Sequence, residues 1–314
     1  MSKKVGILLM IMVVAMVISC GASTPESSSP VKSDKTFYFL TANLQDPFYI
    51  PGIAGFTASG KDLGIKTEVV GPITNSLAEQ LKTFEQLIAN PITGGIYYQP
   101  VDWQAGEPLI EEAKAAGIPV VQGMCDSDGK ARMAFIGSDN VILGNKAGAW
   151  IANLIGCQGT IGTIGNPGDP VLIRMDAMIQ YIQAACPDVV IIPYATYEPT
   201  AASATAVLEA YLVAHPELTL IWAADGVSGQ LSQVWKDKQD AGVKTLLLAT
   251  DMPPATLQAV KDGVFVGTVG QDTYFEEYWG LQILYALSQG KRVPDTTLMA
   301  PILIDQSNVD QFIE

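Results

Sequence analysis

After residue 35, the chain alternates short apolar runs with amphipathic stretches of helical length. Most of the short runs are largely apolar, a pattern that is typical of strands buried on both faces of a sheet. The predicted strands cover residues 36–40, 65–70, 95–98, 118–121, 160–164, 189–192, 218–222, 245–249 and 265–269. The predicted helices cover residues 48–63, 77–89, 108–116, 143–155, 171–185, 201–214, 228–238 and 255–261.

This alternation predicts an α/β fold in which parallel sheets are covered by helices on both faces. About 280 residues follow the first 35, which is more than one compact core usually holds, so two lobes are expected. In parallel α/β sheets the ligand binds beyond the carboxyl ends of the strands. The loops at these ends begin at Thr41, Gln122, Gly165, Ala223, Thr250 and Gly270.

The first 20 residues have the pattern of a secretory signal. Lys3 and Lys4 precede residues 5–18, which contain no charge. A membrane-spanning helix needs about 20 apolar residues, so the shorter run favours a cleaved signal peptide. Residues 17–20, Val-Ile-Ser-Cys, resemble the lipobox of bacterial lipoproteins. The resemblance implies that Cys20 becomes a lipidated N-terminus that holds the protein at the bacterial membrane, on its extracytoplasmic side.

Residues 21–35 are rich in serine and proline and predict a flexible linker. The chain has 18 basic and 32 acidic residues, a balance that repels nucleic acid. A helix-turn-helix would precede the first strand of a transcriptional regulator, but the signal and linker occupy that place. Nucleophile, phosphate-loop, dinucleotide and metal motifs are missing from the sequence, so we expect no enzyme, cofactor or metal.

Cys157 and Cys186 each follow a predicted helix and precede a predicted strand. An oxidising compartment permits a disulfide between them. Two buried thiols are an equally good interpretation, and the sequence leaves both open.

Five short segments carry a resemblance to a known family. They are Leu-Gln-Asp-Pro-Phe-Tyr at 44–49, Gly-Ile-Pro-Val-Val at 117–121, Phe-Ile-Gly-Ser-Asp-Asn at 135–140, Ala-Thr-Asp at 249–251 and Val-Gly-Gln at 269–271. In this order and at this spacing, the chain from Phe37 to about Ile304 resembles the type I periplasmic binding proteins. The resemblance is to the sugar-binding, ribose-binding-protein-like branch of that family.

The resemblance implies two Rossmann-like lobes that are joined by a three-strand hinge and close on a ligand. The N-terminal lobe is expected at 36–138 plus 272–298, and the C-terminal lobe at 139–271 plus 299–314. It further implies a monomer that captures a small polar ligand, a monosaccharide or similar polyol, and delivers it to an ABC permease. The alternative is a sensory protein that presents the ligand to a membrane receptor.

Sugar binding needs planar hydrogen-bonding groups for the hydroxyls and an aromatic surface for the apolar face. Asp251 and Gln271 match ligand positions of the family in place and type. Phe48 and Tyr49 match its stacking pair, with at least one ring expected to face the ligand. Asp46 either contacts the ligand or caps the helix that follows it.

Two departures from the family pattern argue against ribose itself. The ribose-type loop has Asp-Arg where residues 123–128 read Gly-Met-Cys-Asp-Ser-Asp. Either Asp126 or Asp128 is expected to reach the ligand, and the other to lie in a solvated turn. Asp225 matches a ligand position, but the residue before it is alanine where relatives carry asparagine.

Arg174 begins the segment Arg-Met-Asp-Ala-Met, which resembles the Arg-x-Asp-Gly-Phe helix start of the family. Neighbouring positions in relatives contact ligand, so the resemblance implies a ligand contact at or beside Arg174. A salt bridge with Asp176 or another carboxylate is the competing interpretation.

Overall fold

A computed structural model describes residues 34–126 and 131–313. The strands are β1 (Thr36–Leu40), β2 (Lys66–Val70), β3 (Thr93–Tyr98), β4 (Val120–Gly123), β5 (Ala134–Ser138), β6 (Thr160–Gly165), β7 (Val190–Ile191), β8 (Ala195–Thr196), β9 (Leu220–Ala223), β10 (Leu246–Thr250), β11 (Gly267–Gly270), β12 (Thr296–Met299) and β13 (Ile302–Ile304). The signal segment, Cys20, most of the linker and Asp128 lie outside the described residues.

The strands form two sheets, which confirms the predicted two-lobed α/β fold. The first sheet has the order β12-β5-β4-β3-β1-β2, and its pairs are parallel. The second has the order β13-β11-β10-β9-β6-β7, with β8 also on β6, and its β11–β13 pair is antiparallel. The chain passes between the sheets after β5, after β11 and after β12, so three connections join the lobes.

Helices connect the parallel strands and cover the sheets. They are α1 (Ile50–Leu63), α2 (Leu77–Ala89), α3 (Trp103–Ala115), α4 (Asn140–Ile155), α5 (Asp169–Ala185), α6 (Ala201–Ala214), α7 (Ser232–Asp240), α8 (Pro254–Lys261) and α9 (Thr273–Ser288). Short 3-10 helices cover Pro47–Tyr49, Gly226–Leu231 and Val309–Gln311. In the part of the chain that the structure describes, none of the helices has the length and apolar character needed to cross a bilayer.

Two helices differ from the sequence prediction. The predicted α3 began at Pro108, but the helix begins at Trp103 because Asp102 accepts hydrogen bonds from the backbone of Gln104 and Ala105. The second difference is α9, which was not predicted. Its first turn packs against α1 and the first sheet.

The sheets divide the core because successive strand residues face opposite sides. In β1, Phe37 and Phe39 pack below α1 and α9, whereas Tyr38 and Leu40 pack on the other side with Phe84 of α2. Both faces of β1 are therefore buried, which explains why its run is largely apolar.

One glycine in each lobe allows two helices to pack closely at the edge where the lobes meet. A Cβ at Gly55 of α1 would lie 2.0 Å from the carbonyl oxygen of Tyr274 in α9. A Cβ at Gly144 of α4 would lie 2.2 Å from the carbonyl oxygen of Arg174 in α5. These contacts fix the first turn of α9 and the early turns of α5, which carry charged residues of the candidate site.

Cys157 and Cys186 are joined by a disulfide in the structure, with their Cα atoms 5.1 Å apart. Cys157 follows α4 and Cys186 follows α5, so the bond links the far ends of these two packed helices. The sequence had left a bridge and two free thiols equally open.

Candidate ligand-binding site

Loops from the carboxyl ends of both sheets approach one another. Phe48, from the loop after β1, has its ring Cδ2 3.5 Å from the place a Cβ would take on Gly226. The carboxylate Oδ2 of Asp251, from the loop after β10, lies 3.0 Å from the same point. An aromatic ring of the first lobe and a carboxylate of the second therefore face one shared space.

The loop after β1 is shaped by its own polar side chains. The Asn43 Oδ1 accepts the backbone N–H groups of Gln45 and Asp46 at 2.9 and 3.2 Å. Asp46 Oδ1 accepts the backbone N–H of Phe48 at 3.0 Å, so Asp46 caps the 3-10 helix. Capping uses one carboxylate oxygen and holds Phe48 in place. Whether Asp46 also contacts the ligand stays a prediction.

Phe48 and Tyr49 have different surroundings, although their rings meet edge to face with centroids 5.1 Å apart. Tyr49 is buried, and burial, followed by the charge of Asp46, raises the pKa of its hydroxyl. Phe48 is only partly buried. Phe48 is therefore the ring that faces the space between the lobes, and Tyr49 supports it from the core.

Four neighbouring strands of the first sheet place polar side chains at their carboxyl ends. Thr41, Gln99, Gln122 and Ser138 belong to or follow β1, β3, β4 and β5, and all four are buried. In each of them, one side-chain oxygen has no hydrogen-bond partner among the described residues. These atoms are Thr41 Oγ1, Gln99 Oε1, Gln122 Oε1 and Ser138 Oγ. The sequence identified Thr41 and Gln122 only as loop starts, and Gln99 and Ser138 were not selected as site residues, because each of these polar residues follows an apolar run singly.

The loop after β4 turns Asp126 toward Arg132. The Arg132 Nε and Nη2 both donate to this carboxylate, and Nη1 donates to the carbonyl of Asp295 at 2.8 Å. Asp295 immediately precedes β12, so this ion pair lies toward the amino ends of β5 and β12. The Asp126 carboxylate is thus engaged away from the ligand edge. Asp128, for which a ligand contact was the alternative, lies outside the described residues.

Cys125 occupies the part of this loop that faces the second lobe. Burial raises the pKa of its thiol to about 11, and the charge of Arg174 opposes this rise. Cys125 is a free thiol in the structure. Cys125 was not selected as a candidate site residue, because its one distinguishing feature in the sequence is its place next to the position where relatives carry arginine.

Asp251 and Gln271 come together as the sequence predicted from two separate loops. Gln271 Nε2 donates to Asp251 Oδ1 at 2.6 Å, and both side chains are buried. Asp251 has a left-handed φ of 67°, a conformation that non-glycine residues adopt at a cost and that clusters at functional sites. Its backbone is held on both sides, since its N–H donates to Val269 and its carbonyl accepts from Thr268 Oγ1.

Arg174 lies on the second-lobe side and is only 4 % exposed. Its guanidinium donates to Asn140 Oδ1 at 2.7 and 3.1 Å and to the carbonyl of Ala224 at 3.2 Å. Among the described residues, no carboxylate forms an ion pair with it, so the salt bridge considered with Asp176 is absent. Burial lowers the pKa of Arg174, and the charges of Asp251 and Asp225 oppose that change.

Asp225 is held by four protein donors. Its Oδ2 accepts the backbone and side-chain N–H groups of Asn166 at 2.7 and 2.8 Å. Its Oδ1 accepts the Tyr197 hydroxyl at 2.6 Å and the backbone N–H of Val227 at 3.0 Å. These contacts join the loops after β6, β8 and β9. They favour a positioning role for Asp225 in addition to the ligand contact predicted from the sequence.

Two buried glutamates at the start of α9 were missed by sequence analysis because the helix itself was missed. Glu276 is 3 % exposed, and burial raises the pKa of its carboxyl to about 8. Glu277 accepts a hydrogen bond from Gln99 Nε2, and burial and the charge of Glu276 raise the pKa of its carboxyl well above the usual range. The charge of Asp251 acts on Glu276 across the space between the lobes.

The two lobes are those of a known protein family. The family described as periplasmic binding protein domain matches residues 37–292. The chain belongs to this family. Proteins of this family are non-enzymatic, extracytoplasmic solute-binding proteins, and the membership agrees with the resemblance seen in the sequence motifs.

Two curated relatives of this periplasmic binding protein align over nearly all of it. The ribose import binding protein RbsB of Bacillus subtilis is 24% identical and is aligned over 97% of this chain and 99% of its own length. The xylitol-binding protein of Mycolicibacterium smegmatis is also 24% identical, over 94% of this chain and 83% of its own length. A sugar-binding protein of a Bacillus halodurans sugar ABC transporter has a solved structure that is 22% identical, with a TM-score of 0.82. The match covers 88% of this chain and all of that one, and supports the fold.

Proposed function

We propose that this periplasmic binding protein is a lipoprotein that captures a monosaccharide between its two lobes and delivers it to an ABC importer. The observation that carries the proposal is the meeting of Phe48 with Asp251 and Gln271. An aromatic face and planar hydrogen-bonding groups then contact opposite sides of one small polar ligand. Relatives named for ribose and xylitol support a sugar or polyol of similar size.

The proposed ligand residues are those predicted from the sequence. They comprise Asp46, Phe48, Tyr49, Asp126, Asp128, Arg174, Asp225, Asp251 and Gln271. Their geometry favours direct contact for Phe48, Asp251 and Gln271. It favours supporting roles for Tyr49 and Asp225 and an ion pair for Asp126.

We propose lobes at 36–138 plus 272–298 and at 139–271 plus 299–314, which act as a monomer and dock together onto the permease. Residues 21–35 would form a linker to a lipid-bearing Cys20. Membrane fractionation tests the anchor, since replacement of Cys20 by alanine should move the protein from the membrane to the soluble fraction. Retention of the C20A variant in the membrane would contradict lipidation.

A thermal-shift screen tests sugar capture. The chain from Gly21 onward is mixed with pentoses, hexoses and pentitols, because a ligand that binds only the folded state raises the melting temperature. We expect a shift with one sugar that is abolished by Asp251→Ala or Gln271→Ala. An exposed aspartate, Asp188, provides the matched control as Asp188→Ala. A shift that survives both cleft substitutions would place the site elsewhere.

A further inference from the structure

The space between the lobes is faced by two buried carboxylates, each of which has only one protein donor among the described residues. Asp251 is 3 % exposed, and its Oδ2 receives no hydrogen bond from any described residue, whereas Oδ1 receives Gln271 Nε2. Glu276 is equally buried and faces the backbone amide of Met124, but no described side chain donates to its carboxylate. One of these carboxylates belongs to each lobe.

The nearby cation, Arg174, compensates these charges only in part, because its charge opposes the raised pKa of Asp251 but it forms no ion pair with either carboxylate. Arg174 directs its N–H groups to the neutral oxygens of Asn140, Pro170 and Ala224. Buried carboxylates are normally paired with a cation or hydrogen-bonded, because removing a charge from water is costly. Here the local protein supplies neither in full.

The remaining polar groups on this side are also acceptors. Gln122 donates its Nε2 to the carbonyl of Cys125 at 2.6 Å, which leaves its Oε1 unpartnered. Gln99 donates its Nε2 to Glu277 and likewise leaves Oε1 unpartnered. A ligand group that donates several hydrogen bonds suits this lining.

A protonated amine meets this requirement better than a hydroxyl. An ammonium group has three donors and no acceptor, whereas a hydroxyl has one donor and also accepts. Hydrogen bonds between ionised partners are about twice as strong as those between neutral groups. Burial raises the pKa of Asp251 to about 6 although the charge of Arg174 opposes it, and raises that of Glu276 to about 8, so both carboxylates are incompletely compensated.

We propose that the ligand of this protein is an amine-bearing polyol, such as an amino sugar, whose ammonium group lies between Asp251 and Glu276. The inference rests on the proposed function, because it assigns a substrate class to the same cleft. It makes Glu276 the residue that distinguishes an amine from a hydroxyl at one position of the ligand.

Matched ligand pairs test the assignment by calorimetric titration of the chain from Gly21 onward at pH 7. The pairs are D-glucosamine with D-glucose, D-galactosamine with D-galactose, D-mannosamine with D-mannose, and glucamine with sorbitol. We expect one amine to bind at least tenfold more tightly than its hydroxyl partner. Glu276→Gln should abolish this preference, and Glu85→Gln, on the exposed face of α2, should retain it.

The outcomes separate the inference from the function on which it rests. A hydroxyl compound that binds as well as its amine partner would overturn the amine assignment and leave sugar capture standing. A preference that persists in Glu276→Gln would overturn the role of Glu276. Failure of all eight compounds, with a thermal shift from a neutral pentose or pentitol, would overturn the amine assignment alone. The absence of binding by any sugar or polyol would overturn both. Circular dichroism of Glu276→Gln, with Glu276→Asp as a second variant, excludes misfolding as the cause.

Discussion

The buried carboxylates predict that the ligand-free protein becomes less stable as the pH rises through neutrality. Burial raises the pKa of Asp251 from 3.8 to about 6 and that of Glu276 from 4.5 to about 8. A group whose pKa is raised in the folded state contributes stability below its unfolded pKa, and this stability is lost as the pH approaches the folded pKa. Both groups therefore lower the stability as the pH rises, Asp251 up to about pH 6 and Glu276 up to about pH 8.

The size of the effect above pH 6.5 comes mainly from Glu276, because Asp251 has lost its proton by then. One pKa unit corresponds to about 1.36 kcal/mol, so the rise from pH 6.5 to 8 removes about 2 kcal/mol of unfolding free energy. Glu277 is buried beside Glu276 and its raised pKa acts in the same direction. Glu276→Gln keeps the shape of the side chain and removes its titration.

Urea denaturation between pH 6.5 and 8, followed by tryptophan fluorescence at fixed ionic strength, measures the change. We expect the wild-type curve to fall more steeply than that of Glu276→Gln, with a difference of about 2 kcal/mol across the window. Glu85→Gln should follow the wild type, because Glu85 is exposed on α2. A wild-type stability that is constant or increases with pH, or that falls in parallel with Glu276→Gln, would refute the reasoning.

Three further predictions concern other parts of the structure. Reduction of the Cys157–Cys186 bond, which closes a separation of 29 residues, should lower the unfolding free energy by about 3–4 kcal/mol in denaturant titrations. Gly55→Ala should destabilise the protein by about 3 kcal/mol in the same assay, because its Cβ would meet the backbone carbonyl of Tyr274. Asp225→Asn should lose about 2–3 kcal/mol of stability and also weaken sugar binding in titration calorimetry, because at least one of its four donors is left without its acceptor.

Each of these predictions has a direct control. Reductant should leave a double Cys→Ser variant of the bridge unchanged, and an equal effect on both proteins would contradict a role for the bond. Ala54→Gly, on the exposed face of the same helix as Gly55, should cost only about 1 kcal/mol. Asp188→Asn changes an exposed carboxylate and should alter neither the unfolding free energy nor sugar binding. An Asp225→Asn protein as stable as the wild type would show that its four hydrogen bonds are not needed.

The fold was predictable because the sequence patterns that indicate its strands and helices are local and recur along the chain. Most of the predicted strands contribute a largely apolar run, and most helices begin at a side-chain cap or near a proline. The omission of α9 has a physical cause. Its Thr-Tyr-Phe-Glu-Glu start mixes aromatic and acidic residues, and both glutamates are buried, so the usual helical pattern of apolar inward and charged outward positions is broken.

The site was predictable only where a residue's role follows from its place after a strand. Asp251, Gln271 and Phe48 meet because parallel strands bring their loops to one edge. The ion pair of Asp126 could not be predicted in this way, because its partner Arg132 lies across a loop whose path the sequence does not specify. Gln99 and Glu276 were missed because their importance arises from tertiary contacts between α9 and the strands of the first sheet.

The distribution of charge suggests how a closed form would depend on ligand. Above about pH 8, where Glu276 has lost its proton, Asp251 in the second lobe and Glu276 in the first carry like charges toward one space, so closure without a ligand brings carboxylates together and removes them from water. A donor ligand between them replaces that repulsion with two favourable contacts, which exist only when the lobes are closed. Such differential interaction is what a ligand needs in order to shift a conformational equilibrium. On this argument, the residues that select the ligand are also the ones that make closure conditional on it. A side chain at position 276 that stays neutral above about pH 8, as in Glu276→Gln, should therefore favour the closed form at that pH even in ligand-free protein.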